Sequence, residues 1–352
     1  MSGAATVREV SQAWARAGAP PSSASVELTV DAGGIGVRFA APRTRPAALE
    51  RAAAADLEAT AGLLPEPLRG RLGVEVGEVC SRLRGDGGET PLFSRAYRLA
   101  SCRGVVSGLR EGGESGAFAF PWTGTLDAGK IEPELPVILG PSAVLALVSY
   151  ALEVTGGHIS VESGAELPEL TVRDTAGSPY PPQHHPFSGD GSPSPDRPLI
   201  VDGRWLNREE DAGDHVDPLF YLLTRPDRAL RPLAAATHFN RRNLEVACGR
   251  TAAAPREAVL VDSWRVRVGP RSGAVPFHAE LSYVGPDGAR LAVPQLVALR
   301  VDPWRLLDGV EGASGPARPA VDEDPIEGDA YGEAPPLVTG ATLADLAAGD
   351  RR

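Results

Sequence analysis

The sequence predicts an α+β fold: a small N-terminal α/β-sheet domain followed by a larger, mostly antiparallel β domain with one buried central helix. Three observations carry this expectation. Glycine (40) and proline (33) make up about a fifth of the 352 residues, which favours many turns and short strands over a helical bundle. Period-two runs recur in both halves; in residues 92–99, Leu92, Ser94, Ala96 and Arg98 alternate with Phe93, Arg95, Tyr97 and Leu99. A single segment, 141–154, is apolar nearly all round, and in a globular protein such a helix is buried on most sides.

The elements follow in order. Residues 1–24 are small, polar and Pro-containing, and are expected to be ordered only in part. An N-terminal α+β domain, 25–130, opens with strands at 25–30 and 35–39 around the turn Asp31-Ala32-Gly33-Gly34. Residues 46–64 are rich in Ala, Leu, Glu and Arg; Pro46 suits a first helical turn, and Gly62 and Pro65 mark the end. Antiparallel strands fill 73–120, broken by Gly-rich turns at 85–88 and 112–116. The C-terminal domain, 131–311, starts with a strand at 137–139, then Gly140-Pro141 and the apolar helix to Val154, stopped by Gly156-Gly157. Strands are expected at 170–173, 198–201, 258–268, 277–284 and 291–301, joined by a Pro/His/Gly-rich loop, 178–195, and by turns such as Gly285-Pro286-Asp287-Gly288. Residues 312–352 read as an acidic Pro/Gly-rich linker, with six acids between Asp322 and Glu333, ending in a short helix at 339–348.

Composition narrows the function classes. Lys plus Arg total 35 against 46 Asp plus Glu, a net charge of −11, so the basic footprint of a nucleic-acid binder is missing. Cys80, Cys102 and Cys248 are odd in number and far apart, which gives neither a disulfide framework nor a metal knuckle and points to a reducing cytoplasm. Nothing resembles a secretory signal, and no apolar run reaches the roughly 18 residues that span a bilayer, so no membrane partner is expected. Serine-hydrolase, P-loop and dinucleotide motifs are missing; Gly34-Ile35-Gly36 is followed by Val37, Arg38 and Phe39.

Of six histidines, only His184 and His185 stand close together, and neighbours on an extended loop project in opposite directions, poor geometry for sharing a metal. They read as a solvated loop pair or as substrate contacts. Residues 238–243 (HFNRRN) bring His238, Asn240, Arg241 and Asn243 together; this run is a solvated turn or a grip for a carboxylate or peptide backbone. Asp190 and Asp196 sit in turn-forming surroundings, and Cys248, with no base beside it, reads as a packed thiol.

Three segments then fall in a telling order: ELPVILGPSAVLALVSYALE (134–153), LTVRDTAGSPYPPQHHPFSGDGSPSPDRPLIVDGRW (170–205) and NLEVACG (243–249), followed by the strands of 261–301. Together they resemble the TldD/PmbA (TldE) family of metallopeptidase-related proteins, with Asp174, Phe187, Asp190, Gly191, Leu199, Ile200, Asp202 and Gly203 at family positions. Active members of that family write His-Glu-x-x-x-His on the helix after the Pro. Counted from Pro141, those positions hold Ser149, Tyr150 and Val154. A hydroxyl, a phenol and an isopropyl group cannot hold zinc or take a proton from its water. The active branch also uses a cysteine near its C-terminus, and no cysteine follows Cys248.

The resemblance therefore implies the PmbA/TldE branch: no catalytic residue and no cofactor in this chain, zinc in a TldD-type paralogue, a heterodimer, and small peptides as substrates, with maturation of a peptide-like natural product as a specialised setting. Two readings from other classes stay open. One is a metal-free enzyme on the same fold using Tyr150, His184 or His185 and Arg241; the other is a homo-oligomeric binding or scaffold protein.

Overall fold

The computed structural model describes residues 5–31, 34–38, 46–111, 115–154, 169–175, 196–205, 244–266, 275–324 and 328–348. These form two mixed sheets with one long helix between them. In the N-terminal half, strands β1 (Ala5–Arg16), β2 (Ser22–Asp31), β3 (Gly34–Arg38), β4 (Leu72–Gly85), β5 (Gly88–Cys102) and β6 (Val105–Glu111) run antiparallel, and helices α1 (Pro46–Ala61) and α2 (Glu66–Arg69) interrupt them. The C-terminal half adds β7 (Gly124–Thr125), β8 (Pro136–Leu139), α3 (Pro141–Val154), β9 (Leu170–Asp174), β10 (Arg197–Val201), β11 (Arg204–Trp205), β12 (Leu244–Cys248), β13 (Ala258–Val266), β14 (Val275–Val284), β15 (Arg290–Ala292) and β16 (Val297–Val301). It closes with α4 (Pro303–Asp308), β17 (Val310–Ala313), β18 (Arg318–Asp324), β19 (Gly328–Ala334), β20 (Leu337–Thr342) and α5 (Leu343–Ala348).

The first sheet has twelve strands in the order β11-β10-β9-β12-β19-β18-β6-β5-β4-β1-β2-β3; the second has the order β17-β20-β8-β13-β14-β15-β7, with β16 beside β14. Helix α3 lies between them, against β18 and β19 on one side and β13 on the other. Residues Ala143 to Val148 are all buried there, with Leu170, Val172, Leu244 and Ala334 from one sheet and Val261, Phe277 and Leu281 from the other. The all-round apolar sequence of this helix is the direct consequence of having a sheet on both sides. In the N-terminal half, α1 covers one face with Leu49 and Ala53 against Ala13, Ala15, Val74, Val76 and Ala100. The helix is anchored by buried Asp56, which takes Arg98 Nη1 at 2.6 Å and the amide of Gly116 at 3.1 Å.

Four expectations are corrected. Residues 5–16, expected to be partly ordered, form an interior strand paired along its whole length with β4. Its polar side chains find cross-strand partners: Ser11 bonds Ser25 at 2.9 Å, and Gln12 donates to Glu75 at 2.9 Å and to Tyr97 at 2.5 Å. The acidic segment read as a linker is the β18–β19 hairpin, in which Ala320 and Ala334 join the core around α3. The helix expected at 339–348 begins only at Leu343, because Leu337–Thr342 is a strand beside β8, and Asp345 receives the Thr342 amide at 2.8 Å at the start of α5. The run 291–301 is two strands broken at Pro294, which cannot donate to a ladder. The twelve-stranded sheet also draws strands from both sides of residue 130, so the divide expected there is not a sheet boundary.

The two sheets meet across a buried polar network. The β5–β6 turn, Arg103-Gly104, has positive φ at both residues, 54° and 70°, and a Cβ on Gly104 would stand 2.3 Å from the Ser263 Cβ. That close approach brings Arg103 onto β14, where it donates to the Leu281 carbonyl at 3.0 Å and pairs with Glu280 at 3.7 Å; Arg71 also pairs with Glu280. Beside it, Trp122 donates to Ser282 at 2.8 Å, Ser282 donates to Asp262 at 2.6 Å, and Arg290 pairs with Asp262. The guanidinium carbons of Arg103 and Arg290 lie 5.8 Å and 5.6 Å from the Trp122 ring centre. Burial among these groups pushes the neighbouring Cys102 thiol up to about 12. Replacing Asp262 by Ala leaves Arg290 and Ser282 without their acceptor and is expected to cost about 3–5 kcal/mol, measured by urea unfolding; a loss below about 1 kcal/mol would refute the role given to the network.

Candidate functional site

The site positions picked out by sequence lie on α3, and the local sequence explains why. Gly140 has its missing Cβ only 2.8 Å from the Val261 carbonyl, so the chain passes close against β13 before Pro141 opens the helix. Ser142, Leu145 and Ser149 then fall on one helical stripe. Ser142 ties this stripe to the twelve-stranded sheet: its hydroxyl donates to the Gly104 carbonyl at 2.5 Å and accepts the Val321 amide at 3.0 Å. Further along, Leu145 stands against Gly332 of β19, where a Cβ would meet Leu145 at 3.0 Å and the Leu244 carbonyl at 2.1 Å. Two turns beyond Ser142, Ser149 is 2% exposed, and among the described residues its hydroxyl has no hydrogen-bond partner.

Tyr150 turns to the other sheet. It is half-buried and packs edge-on to Phe277, ring centres 6.1 Å apart, and Phe277 in turn lies 4.8 Å from Trp264. Val154 occupies the last position of α3. On the facing strand β9, Leu170 and Val172 point into the core, and the same alternation points Asp174 inward with 4% exposure; Thr175 follows, also buried. The described part of the site is thus a helix end beside the Phe277–Trp264 pair; β9, with its buried Asp174, shares the core through Leu170 and Val172.

These residues do not fit a zinc ion. Zinc needs three or four imidazole, thiolate or carboxylate donors, whereas the three helix positions offer one orphaned hydroxyl, one phenol packed on an aromatic ring and one hydrocarbon. Among the described residues no group of three or more His, Cys, Asp or Glu side chains is arranged to hold a metal. The other candidates, His184, His185, His238, Asn240, Arg241 and Asn243, lie outside the described residues, as do Phe187, Asp190 and Gly191. Sequence reading missed the Trp264–Phe277 pair. The signal was there in principle: two aromatics in neighbouring strands, with Phe277 the register partner of Val266, two residues from Trp264. It also missed the outward row Arg173, Glu245 and Glu333, since register between distant strands is not written in any one of them.

No family model and no curated protein sequence matches the chain. Solved structures do. TldE from Thermococcus kodakarensis aligns over 96% of this chain and 94% of its own, with a TM-score of 0.52 and 12% identity. The chain has the TldE fold. Over the same shares, 96% and 94%, it also aligns with a proposed modulator of a DNA gyrase from Thermotoga maritima, at a TM-score of 0.45 and 11% identity. A proposed modulator of DNA gyrase from Bacteroides thetaiotaomicron gives 0.42 and 14%, again over 96% and 94%. The α+β architecture expected from sequence is the one observed, and in this TldE fold α3 is the one long helix placed between the sheets. No helix among the described residues is long and apolar enough to cross a membrane.

An orphaned buried hydroxyl costs more than it contributes. Ser149→Ala is therefore expected to leave the TldE fold between unchanged and about 1 kcal/mol more stable, read from the thermal midpoint. A loss of stability would show that the hydroxyl has a partner in solution.

Proposed function

We propose that this chain is a non-catalytic, TldE-like subunit that works in the cytoplasm beside a metal-bearing TldD-type paralogue, the two together trimming or degrading small peptides. The paralogue supplies the zinc and this chain carries no cofactor of its own. Maturation of a peptide-like natural product is the specialised setting we favour. The observation that supports this reading is the residue set at the helix: counted from Pro141, the family's two histidines and glutamate fall on Ser149, Tyr150 and Val154, none of which can serve as a zinc ligand or general base there.

The packing gives a reason why such a subunit persists. Helix α3 is held mainly by the apolar contacts of residues 143–148 to two sheets, outside the three ligand positions, with Tyr150 adding one aromatic contact to Phe277. The scaffold therefore keeps its shape after the donors are lost, and a partner of related shape can still match it. In this arrangement the chain's own residues enclose and position: the Tyr150–Phe277–Trp264 cluster supplies an apolar flank, and His184, His185, His238, Asn240, Arg241 and Asn243 are its candidate peptide or partner contacts.

Co-expression with a TldD-type protein is expected to yield a stable one-to-one complex with chelator-sensitive peptidase activity, while the purified chain alone hydrolyses nothing. Chelator-sensitive peptidase activity from the lone chain would overturn the proposal. A stable homodimer that ignores every TldD-type protein offered would favour a scaffold role instead.

A further inference from the structure

The network between the sheets holds more positive than negative charge. It joins three guanidiniums, those of Arg71, Arg103 and Arg290, to two carboxylates, those of Glu280 and Asp262. Ser263, the register partner of Glu280, and His278, two residues before it on the same face of β14, bring no negative charge. One positive charge is left over. It stands in a chain whose net charge is −11, and little of it meets water: the side chain of Arg103 is 2% exposed and that of Arg290 18%, while Arg71, at 46%, marks the side on which the network opens to solvent. A buried charge without a counter-charge is costly.

The hydrogen bonds show the same surplus. Asp262 takes Arg290 on one oxygen and Ser282 on the other, and Glu280 takes Arg71 on one oxygen and both Arg103 and Ser263 on the other. Every carboxylate oxygen of the network is therefore engaged. Arg103 uses Nη2 on the Leu281 carbonyl and turns Nε to Glu280, and Arg290 uses Nη2 on Asp262. Two donors remain, Arg103 Nη1 and Arg290 Nε; both are buried, and neither has an acceptor among the described residues. The two guanidinium carbons lie 5.8 Å and 5.6 Å from the centre of one ring, that of Trp122, which attracts their charge but is a weak acceptor for their N–H groups.

We propose that the Arg103–Trp122–Arg290 cluster is a binding site for one small inorganic anion, a halide such as chloride. The charge balance calls for a single negative charge. A halide accepts N–H groups from any direction, whereas a carboxylate or phosphate would turn further oxygens on Glu280 and Asp262, and the burial of both donor atoms favours the smaller ligand. Held there, the ion joins the β5–β6 turn of the first sheet to β15 of the second. Binding and the docking of the two sheets are thus linked, since a ligand that binds only the docked form stabilises it. The site belongs to this chain alone and does not depend on the subunit reading above.

The test compares sodium chloride with sodium gluconate, whose anion is too large for the site, on the full purified chain at equal ionic strength. Replacing about 0.2 M gluconate by chloride is expected to raise the thermal midpoint by about 2–4 °C, and bromide should act alike. General salt effects run the other way, because an anion excluded from the surface favours the compact state. Arg290→Met removes the Nε donor with its charge and is expected to abolish the rise, whereas Arg84→Met, on the exposed end of β4, should keep it. No chloride-specific rise in the wild type overturns the site, and so does a rise that Arg290→Met retains. If Arg290→Met does not fold, anomalous scattering from wild-type crystals grown in bromide decides: a peak beside Arg103 Nη1 or Arg290 Nε supports the site, and peaks elsewhere only, from adventitious ions, overturn it.

Discussion

The structure depends on the charged contact between the β5–β6 turn and the outer face of β14. Arg71, Arg103 and Arg290 share Glu280 and Asp262, with Trp122 lying among them. Buried ion pairs contribute little net stability, since desolvation offsets most of the attraction, but a buried charge without its partner is costly. The cross-sheet part of the network is therefore selective: it favours the placement in which Glu280 of the second sheet meets Arg71 and Arg103, while the Asp262–Arg290 pair lies within that second sheet. The Arg103-Gly104 turn, wedged against Ser263, admits no side chain at its second position, which narrows the choice further.

Once the sheets are so placed, the slot for α3 has a fixed width. Ser142 links the Arg103-Gly104 turn to β18 from the first turn of that helix, so the helix start and the charged network are mechanically one unit. The other end, with Ser149 and Tyr150, takes its position from this anchor. A helix packed by hydrocarbon on two sides tolerates the loss of polar ligands, because none of its packing comes from them.

How much was legible in the sequence depended on how local the cause was. The β2–β3 hairpin, α1, and the step from β8 through Gly140-Pro141 into α3 appear where turn residues and periodicity place them. Strand β1 was not legible, because Ser11, Gln12 and Glu9 look like solvent residues until β2, β4 and β5 supply their partners. The β18–β19 hairpin misled for a similar reason: its acids dominate the composition, whereas its alanines decide the fold by fitting under α3. At the site, the three helix positions were found by counting from Pro141, but nothing local told that Ser149 would be buried without a partner or that Tyr150 would lean on Phe277.

The amino-acid sequence by itself determined the α+β class, the central apolar helix and the hydroxyl, phenol and isopropyl groups at Ser149, Tyr150 and Val154, because each follows from residue type and short-range spacing. Only the tertiary structure decided that one sheet would run through both halves of the chain, that Arg103 would meet Glu280, and that Glu245 would lie beside Glu333. Those contacts join residues 177 and 88 positions apart, and pairing at such distances is settled by which faces can be buried together, a property that no single segment carries.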